Sequence, residues 1–158
     1  MHSVIRPAAR HELEQLSELA RQSKAVWGYS DAFMARCRAE LTLRPDELPQ
    51  LFVLEGRSGL LGFYSLQHVS DGEVELGHLF VAPAELRRGH GRALLRDALA
   101  RARQQGYRKL IIQGDPHAVD FYLAAGAVQV GVRESESIPG RLLPLFEVSL
   151  AASPDGTA

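Results

Sequence analysis

The stretch of sequence richest in chemistry lies between residues 75 and 95, where a predicted strand leads through a glycine-containing loop into a long helix. Gly89 and Gly91 have no Cβ atom, so a ligand can approach the backbone closely there. The first amides of a helix have no partner within it and can point at an anion. Positive side chains occur at the same place: Arg87, Arg88 and Arg92. These features predict a site of pyrophosphate size; the alternative is a tight helix entry with solvated arginines.

Two common nucleotide-binding motifs do not fit this loop. The dinucleotide fingerprint GxGxxG needs a small residue where this chain has Leu94, and its ribose-binding acid has no clear counterpart. The phosphate-binding loop GxxxxGK[ST] does not occur in the sequence. Any anion bound here is therefore expected to be held in another way.

The elements that must position this loop alternate between strands and helices. Apolar alternation and turn residues predict strands at 3–6, 51–55, 60–69, 73–81, 109–113, 128–133 and 142–150. Helical spacing and capping residues predict helices at 8–26, 30–41, 89–106 and 117–125. This order predicts an α/β domain on a mixed sheet over residues 1–150, followed by a flexible C-terminal tail at 151–158.

Length and composition set the class of protein. A chain of 158 residues with 46% hydrophobic and 23% charged residues fits one soluble domain, and excludes a disordered or collagen-like protein. With 18 Lys and Arg against 19 Asp and Glu, the chain has no basic excess for general nucleic-acid binding. The single Cys37 cannot form an internal disulfide, and no apolar run approaches the ~18 residues of a membrane span. We expect a cytoplasmic protein with neither nucleic acid nor membrane as a partner.

The glycine loop also resembles a known family. The segment Leu86-Arg87-Arg88-Gly89-His90-Gly91 is similar to [Q/R]xxGx[G/A], the acetyl-CoA-binding motif of the GNAT superfamily of N-acetyltransferases, with Leu86 in place of the usual Gln or Arg. The opening segment Ile5-Arg6-Pro7-Ala8 and the strand Leu79-Phe80-Val81-Ala82-Pro83 also resemble the family. Residues 115–127 are similar to DxNAxxFYxxxGA, with His117 in place of Asn. The resemblance covers most of the chain and implies the GNAT fold, a splayed, mostly antiparallel mixed sheet of about seven strands flanked by about four helices.

The resemblance implies a reaction, the transfer of the acetyl group of acetyl-CoA to a primary amine, with no metal. It assigns pantetheine contacts to the backbone of Leu79, Phe80 and Val81. It assigns pyrophosphate contacts to six consecutive residues: Arg87, Arg88, Gly89, His90, Gly91 and Arg92. His117 either contacts the pantetheine or only caps its helix.

The same resemblance suggests catalytic roles. Glu75 occupies the position of a catalytic glutamate in several family members and is the first candidate for the general base; the alternative is a solvated or salt-bridged strand residue. His78 is the second candidate, because imidazole titrates near neutrality. On a regular strand the two face opposite sides, unless a β-bulge lies between them. Tyr122 is expected to be the general acid; the alternative is an aromatic packed on the sheet.

The sequence indicates less about the pocket that would bind the acceptor amine. Three aromatic residues near the first two helices either line an acceptor pocket or belong to the core: Trp27, Tyr29 and Phe33. The expected acceptor is a small-molecule or peptide amine, and a homodimer is common in the family. Two other readings remain: an acyl-CoA-binding module of the same fold without catalysis, and a protein that binds a nucleotide or another anion at the loop.

Overall fold

The computed structural model describes residues 3–150, and its centre is one seven-stranded sheet. The strands are β1 (Val4–Pro7), β2 (Leu51–Gly56), β3 (Gly59–Ser70), β4 (Glu73–Val81), β5 (Lys109–Gln113), β6 (Val128–Glu134) and β7 (Leu142–Ser149). Their order across the sheet is β1-β2-β3-β4-β5-β7-β6, in which only the β4–β5 pair is parallel. The predicted mixed, mostly antiparallel sheet is confirmed. The predicted tail at 151–158 lies outside the described residues.

Four α-helices flank the sheet, as predicted: α1 (Leu13–Ala25), α2 (Asp31–Cys37), α3 (His90–Gln104) and α4 (Val119–Ala124). Short 3-10 helices lie at Arg10–Glu12, Pro45–Gln50, Pro83–Glu85 and Pro116–Ala118. Ser30 caps α2, since its Oγ accepts a hydrogen bond from the Phe33 amide at 3.1 Å. The helix stops at Cys37 rather than at Leu41. The prolines Pro45 and Pro49 predict a loop after it, but Pro45–Gln50 is a 3-10 helix.

The core lies on both faces of the sheet. On one face, the apolar side of α3 packs on the central strands, with Leu94 and Ala98 completely buried. On the other face, α1 and α2 cover Val53 and Phe63 with Leu16 and other apolar residues. A fully buried leucine contributes about 1.5–3 kcal/mol, so both layers hold the strands in place. Within residues 3–150, no helix combines the length and the apolar character that a bilayer crossing requires.

Candidate active site

The candidate site begins where two parallel strands separate. β4 pairs with β5 over only residues 73–76, although it remains paired with β3 as far as Val81. β5 instead continues beside β7 up to Gln113. The second half of β4 therefore forms one wall of a cleft of about 810 Å³, within the usual size range of small-molecule sites.

The backbone of β4 offers hydrogen-bonding groups along this wall. The Ala82 amide donates to the Leu61 carbonyl in β3 at 2.8 Å. Because successive residues of a strand direct their peptide groups to opposite sides, Phe80 also faces β3, whereas Leu79 and Val81 face the cleft. All three predicted pantetheine residues line the cleft, but the peptide groups of Leu79 and Val81 are the ones turned toward a ligand.

The glycine loop closes one end of the cleft. Arg87 and Gly89 have left-handed backbones, with φ of 65° and 81°, which turn the chain into the first turn of α3. A non-glycine residue in this conformation is strained by about 1 kcal/mol or more, and such strain concentrates at ligand-binding loops. The Ala93 amide donates to the Gly89 carbonyl at 3.0 Å, so the amides of residues 90–92 have no partner within the helix.

The charged side chains of this loop divide into two groups. Arg87, His90 and Arg92 line the cleft. Arg88 does not: it is 61% exposed, and its guanidinium lies 3.6 Å from Glu85. His90 Nε2 also approaches Glu85, at 3.4 Å. Of the three arginines expected at a pyrophosphate, the structure thus brings Arg87 and Arg92 to the cleft and leaves Arg88 toward solvent.

The open space at the loop tests whether the anionic part of coenzyme A fits here. A Cβ atom on Gly91 would lie 3.4 Å from two ring carbons of Phe121, an ordinary contact distance, and one on Gly89 would meet nothing within 4 Å. The surrounding protein therefore does not itself fill the space beside these backbones. Unpaired helix amides and two arginines around such a space are a suitable donor set for a pyrophosphate.

Tyr122 lies deep in the cleft, on α4. Its ring is packed against Phe121 and Phe146, with centroid distances of 5.1 and 5.4 Å, and it leaves room for no side chain at Gly114, where a Cβ would lie 3.0 Å from the ring. The hydroxyl makes no hydrogen bond to any residue in the range 3–150, and burial raises the pKa of Tyr122. The hydroxyl is therefore protonated at neutral pH and available as a donor.

Glu75 and His78 face the same side of the sheet. Their partners in β3 are Gln67 and Ser65, which are two residues apart, because Gly77 is an extra residue in β4 and forms a bulge. A Cβ on Gly77 would lie 2.5 Å from Gln67 Nε2, so any other residue at this position would require Gln67 to move. The bulge brings both candidate bases to the lining of the cleft.

The two candidates have different surroundings. Both carboxylate oxygens of Glu75 accept hydrogen bonds from Arg133 Nη1, at 3.2 and 3.0 Å, and the same nitrogen donates to Gln113 Oε1 at 3.0 Å. This network joins β4, β5 and β6 where the sheet splits. His78 instead lies 3.8 Å from the carboxylate of Glu47, measured from Nε2 to Oε1.

The aromatic residues of the acceptor side separate. Trp27 lines the cleft and is stacked on His117, with ring centroids 4.9 Å apart. Tyr29 and Phe33 are not part of the lining; they stack on each other at 4.2 Å beneath the guanidinium of Arg141. Of these three aromatic residues, Trp27 is therefore the one that lines the cleft.

Asp115 makes hydrogen bonds or ion pairs with several groups of this region. Its carboxylate accepts hydrogen bonds from the Tyr29 hydroxyl at 2.7 Å and the His117 amide at 2.9 Å, and Lys24 Nζ lies 3.5 Å away. Burial alone would raise the pKa of Asp115, but these hydrogen bonds outweigh it and lower the pKa. Burial and the bond to Asp115 raise the pKa of Tyr29 to about 12. His117 lines the cleft, but the residue that caps this 3-10 helix is Asp115, whose side chain accepts from the His117 amide.

Two further residues of the site, Arg133 and Glu47, belong to none of the motifs described above. Arg133 lies 58 positions from Glu75 and reads as an ordinary charge on an alternating strand. Glu47 follows Pro45 in a stretch that reads as a loop, and its only local signal is the spacing that lets it accept a hydrogen bond from the Arg44 amide at 2.7 Å.

Comparison with known proteins agrees with this geometry. The model of the acetyltransferase (GNAT) family matches residues 12–127. A mycothiol acetyltransferase from Thermomonospora curvata is 33% identical over 143 residues, which are 90% of this chain and 46% of the relative. The chain thus spans about half the length of that relative.

Solved structures share the fold. A PaiA N-acetyltransferase from Thermoplasma acidophilum, in complex with coenzyme A, has a TM-score of 0.70 at 20% identity and covers 94% of this chain and 99% of its own. A ribosomal-protein-S18-alanine N-acetyltransferase from Escherichia coli has a TM-score of 0.71 at 18% identity and covers 99% of each chain.

Proposed function

Because the chain belongs to the acetyltransferase (GNAT) family, we propose that it transfers the acetyl group of acetyl-CoA to a primary amine by direct attack. The observation that carries the proposal is the cleft between β4 and β5. It combines unpaired strand amides, a helix start with free amides and three titratable side chains: Glu75, His78 and Tyr122. Acetyl-CoA supplies a thioester as the acetyl donor. Leu79 and Val81 would hold the pantetheine, while Arg87, Arg92 and the amides of residues 90–92 would hold the pyrophosphate.

The main energetic problem is the protonation state of the amine. An alkylamine has a pKa of about 10.4, so removing its proton at pH 7 costs roughly 4–5 kcal/mol. We assign the proton acceptor to His78. The reason is that Arg133 holds both oxygens of Glu75, whereas neither ring nitrogen of His78 makes a hydrogen bond among residues 3–150, and Nδ1 is the nitrogen that does not face Glu47. In this assignment, Glu75 and Arg133 support the wall of the cleft.

Tyr122 acts at the other end of the reaction. Its hydroxyl stays protonated, since burial raises its pKa, and donates a hydrogen bond toward the leaving sulfur. An ordinary thiol has a pKa of about 8.5, below that of tyrosine, so this bond stabilises the departing thiolate rather than protonating it at equilibrium. Tyr122→Phe should lower kcat about tenfold or more and leave the dissociation constant of CoA unchanged in calorimetry. Equal turnover would remove Tyr122 from the mechanism.

The base assignment is tested by a matched pair of variants. His78→Gln should lower kcat about 100-fold and abolish the acidic limb of the kcat/KM profile, because the proton acceptor is lost. Glu75→Gln should retain that limb and lose less activity. The assignment is wrong if Glu75→Gln removes the limb and His78→Gln keeps it.

The activity itself is tested by calorimetric titration with acetyl-CoA, followed by a CoA-release assay. The two relatives are named for very different compounds, mycothiol and an alanine of a ribosomal protein, so the panel includes small amines, amino acids and peptides. We expect binding, and release of CoA with at least one class of amine. No binding at millimolar ligand contradicts the proposal. Binding without transfer to any amine would instead favour a non-catalytic acyl-CoA-binding module.

A further inference from the structure

Glu47 enters the cleft from outside the strands that build it. It lies in the 3-10 helix Pro45–Gln50, between α2 and β2, and its side chain is only 16% exposed. Oε2 accepts a hydrogen bond from the Arg44 amide at 2.7 Å, which fixes the carboxylate at the start of this helix. The other oxygen, Oε1, is directed to His78.

The neighbouring residues also fix the position of the His78 ring. The bulge at Gly77 turns its ring to the cleft, and the rings of Phe63 and Phe80 lie on it with centroids 6.0 Å away. Its Nε2 is 3.8 Å from Glu47 Oε1, an ion-pair distance. Catalytic hydrogen bonds are often long in unliganded enzymes and shorten when substrate binds.

We propose that Glu47 is a positioning residue that orients the imidazole of His78 and stabilises its charged form during transfer. This inference rests on the proposed function, in which His78 accepts the proton of the amine. With Nε2–H directed to Glu47, the lone pair lies on Nδ1. The ammonium form of the amine gives its proton to Nδ1, and the neutral amine nitrogen attacks the thioester carbonyl to form the C–N bond. The C–S bond breaks and releases the CoA thiolate, which takes the second proton of the amine nitrogen. The imidazolium then releases its proton to water. Glu47 itself gains no proton, and the imidazole keeps the pKa of its carboxyl below the usual range.

Other charged groups of the cleft lie on the elements around His78. On its own strand, Glu75 is neutralised by Arg133 of β6, and Lys24 of α1 is close to Asp115. Two exposed charged residues of the segment between α2 and β2 also line the cleft: Glu40 and Arg44. Glu47 is the carboxylate whose oxygen lies within ion-pair distance of the ring of His78.

The test compares Glu47→Gln with Asp46→Asn. Both changes remove one negative charge from the same 3-10 helix, but Asp46 is 74% exposed and outside the lining of the cleft. The readouts are nitrogen NMR of the neutral His78 imidazole in the full chain, which reports its tautomer, and kcat at pH 7. We expect the wild type to carry its ring proton mainly on Nε2, the nitrogen that faces Glu47. Glu47→Gln should shift the tautomer ratio toward Nδ1–H, because the ring loses the carboxylate that faces Nε2, and should lower kcat about tenfold. Asp46→Asn should leave both quantities unchanged.

The inference is overturned if Glu47→Gln has the tautomer ratio of the wild type, or if Asp46→Asn changes that ratio in the same way. Glu47→Asp covers a failure of Glu47→Gln to fold: the retained carboxylate should keep the ring proton mainly on Nε2, while the shorter side chain lowers kcat. A majority of Nδ1–H in Glu47→Asp would overturn the inference as well. The NMR measurement needs no acetyl transfer. A chain that acetylates no amine therefore contradicts the proposed function and still reports whether Glu47 acts on His78.

Discussion

Gly91→Ala tests why α3 has a glycine in its first turn. Either packing leaves no room for a side chain there, or a ligand must approach the backbone. Gly91 is the second residue of α3, and a methyl group there would make ordinary contacts with Phe121 at 3.4 Å and with Val81 at 3.8 Å. Packing therefore gives no reason for glycine. The remaining reason is the approach of a ligand to the backbone, which the methyl group would obstruct.

The two effects have opposite signs. In a helix interior, alanine is about 1 kcal/mol more favourable than glycine; in the first turn we take half of that, which raises Tm by about 1–2 °C for a chain of this size. Loss of one charge-assisted hydrogen bond to a phosphate costs about 1.5–3 kcal/mol. The affinity for CoA should therefore fall about 10- to 100-fold while the protein becomes slightly more stable.

Calorimetric titration with CoA and thermal unfolding measure the two quantities on the same sample. Gly106→Ala is the matched control at the other end of the helix: Gly106 has a φ of 88° and no atom within 4 Å of its Cβ position. That change should lower stability by about 1 kcal/mol, because alanine disfavours this conformation, and leave CoA affinity unchanged. Wild-type affinity in Gly91→Ala would refute the placement of the pyrophosphate, and a clear loss of stability would refute the packing argument.

Two further predictions concern stability. Arg6 donates hydrogen bonds to both oxygens of Glu12, at 3.0 and 2.7 Å, and lowers the pKa of the Glu12 carboxyl. The resulting stabilisation is complete above the ordinary carboxyl pKa of about 4.3 and is lost as the pH falls through the lowered pKa of Glu12. Glu12→Gln should therefore lose about 1 kcal/mol at pH 7 in urea unfolding and show a flatter decline between pH 5 and 3; an unchanged decline would contradict this. The hydroxyl of the buried Tyr64 donates to Asp97 at 2.6 Å and accepts from Arg101 at 2.9 Å. Tyr64→Phe should cost about 1–3 kcal/mol in the same assay, and an unchanged urea midpoint would show that the network contributes nothing.

The order of strands and helices could be predicted because it depends on local patterns. The apolar runs of β2 and β3, the alternation at the start of β4 and the leucines of α3 each occur within one element, so neighbouring residues determine them. The 3-10 helix at Pro45–Gln50 escaped prediction because its two prolines indicate a loop as readily as a tight helix.

The site was only partly accessible to sequence reasoning. The loop from Arg87 to Arg92 follows from residue types, but residue types do not distinguish Arg87 and Arg92, which line the cleft, from Arg88, which is 61% exposed. Arg133 pairs with Glu75 across 58 positions of the chain, a contact that no local pattern encodes. A charged residue on a strand looks the same whether it meets solvent or a distant partner.

Gly77 explains why the cleft and its candidate base occur at the same place. The bulge directly follows Leu76, the last residue of β4 that pairs with β5. A bulge bends its strand and increases the local twist, so β4 turns away from β5 at the residue where the side-chain alternation is also shifted by one. One extra residue thus opens the cleft, frees the amides of Leu79 and Val81, and turns His78 into that cleft. A regular strand would have kept β4 beside β5 and directed His78 to the opposite face.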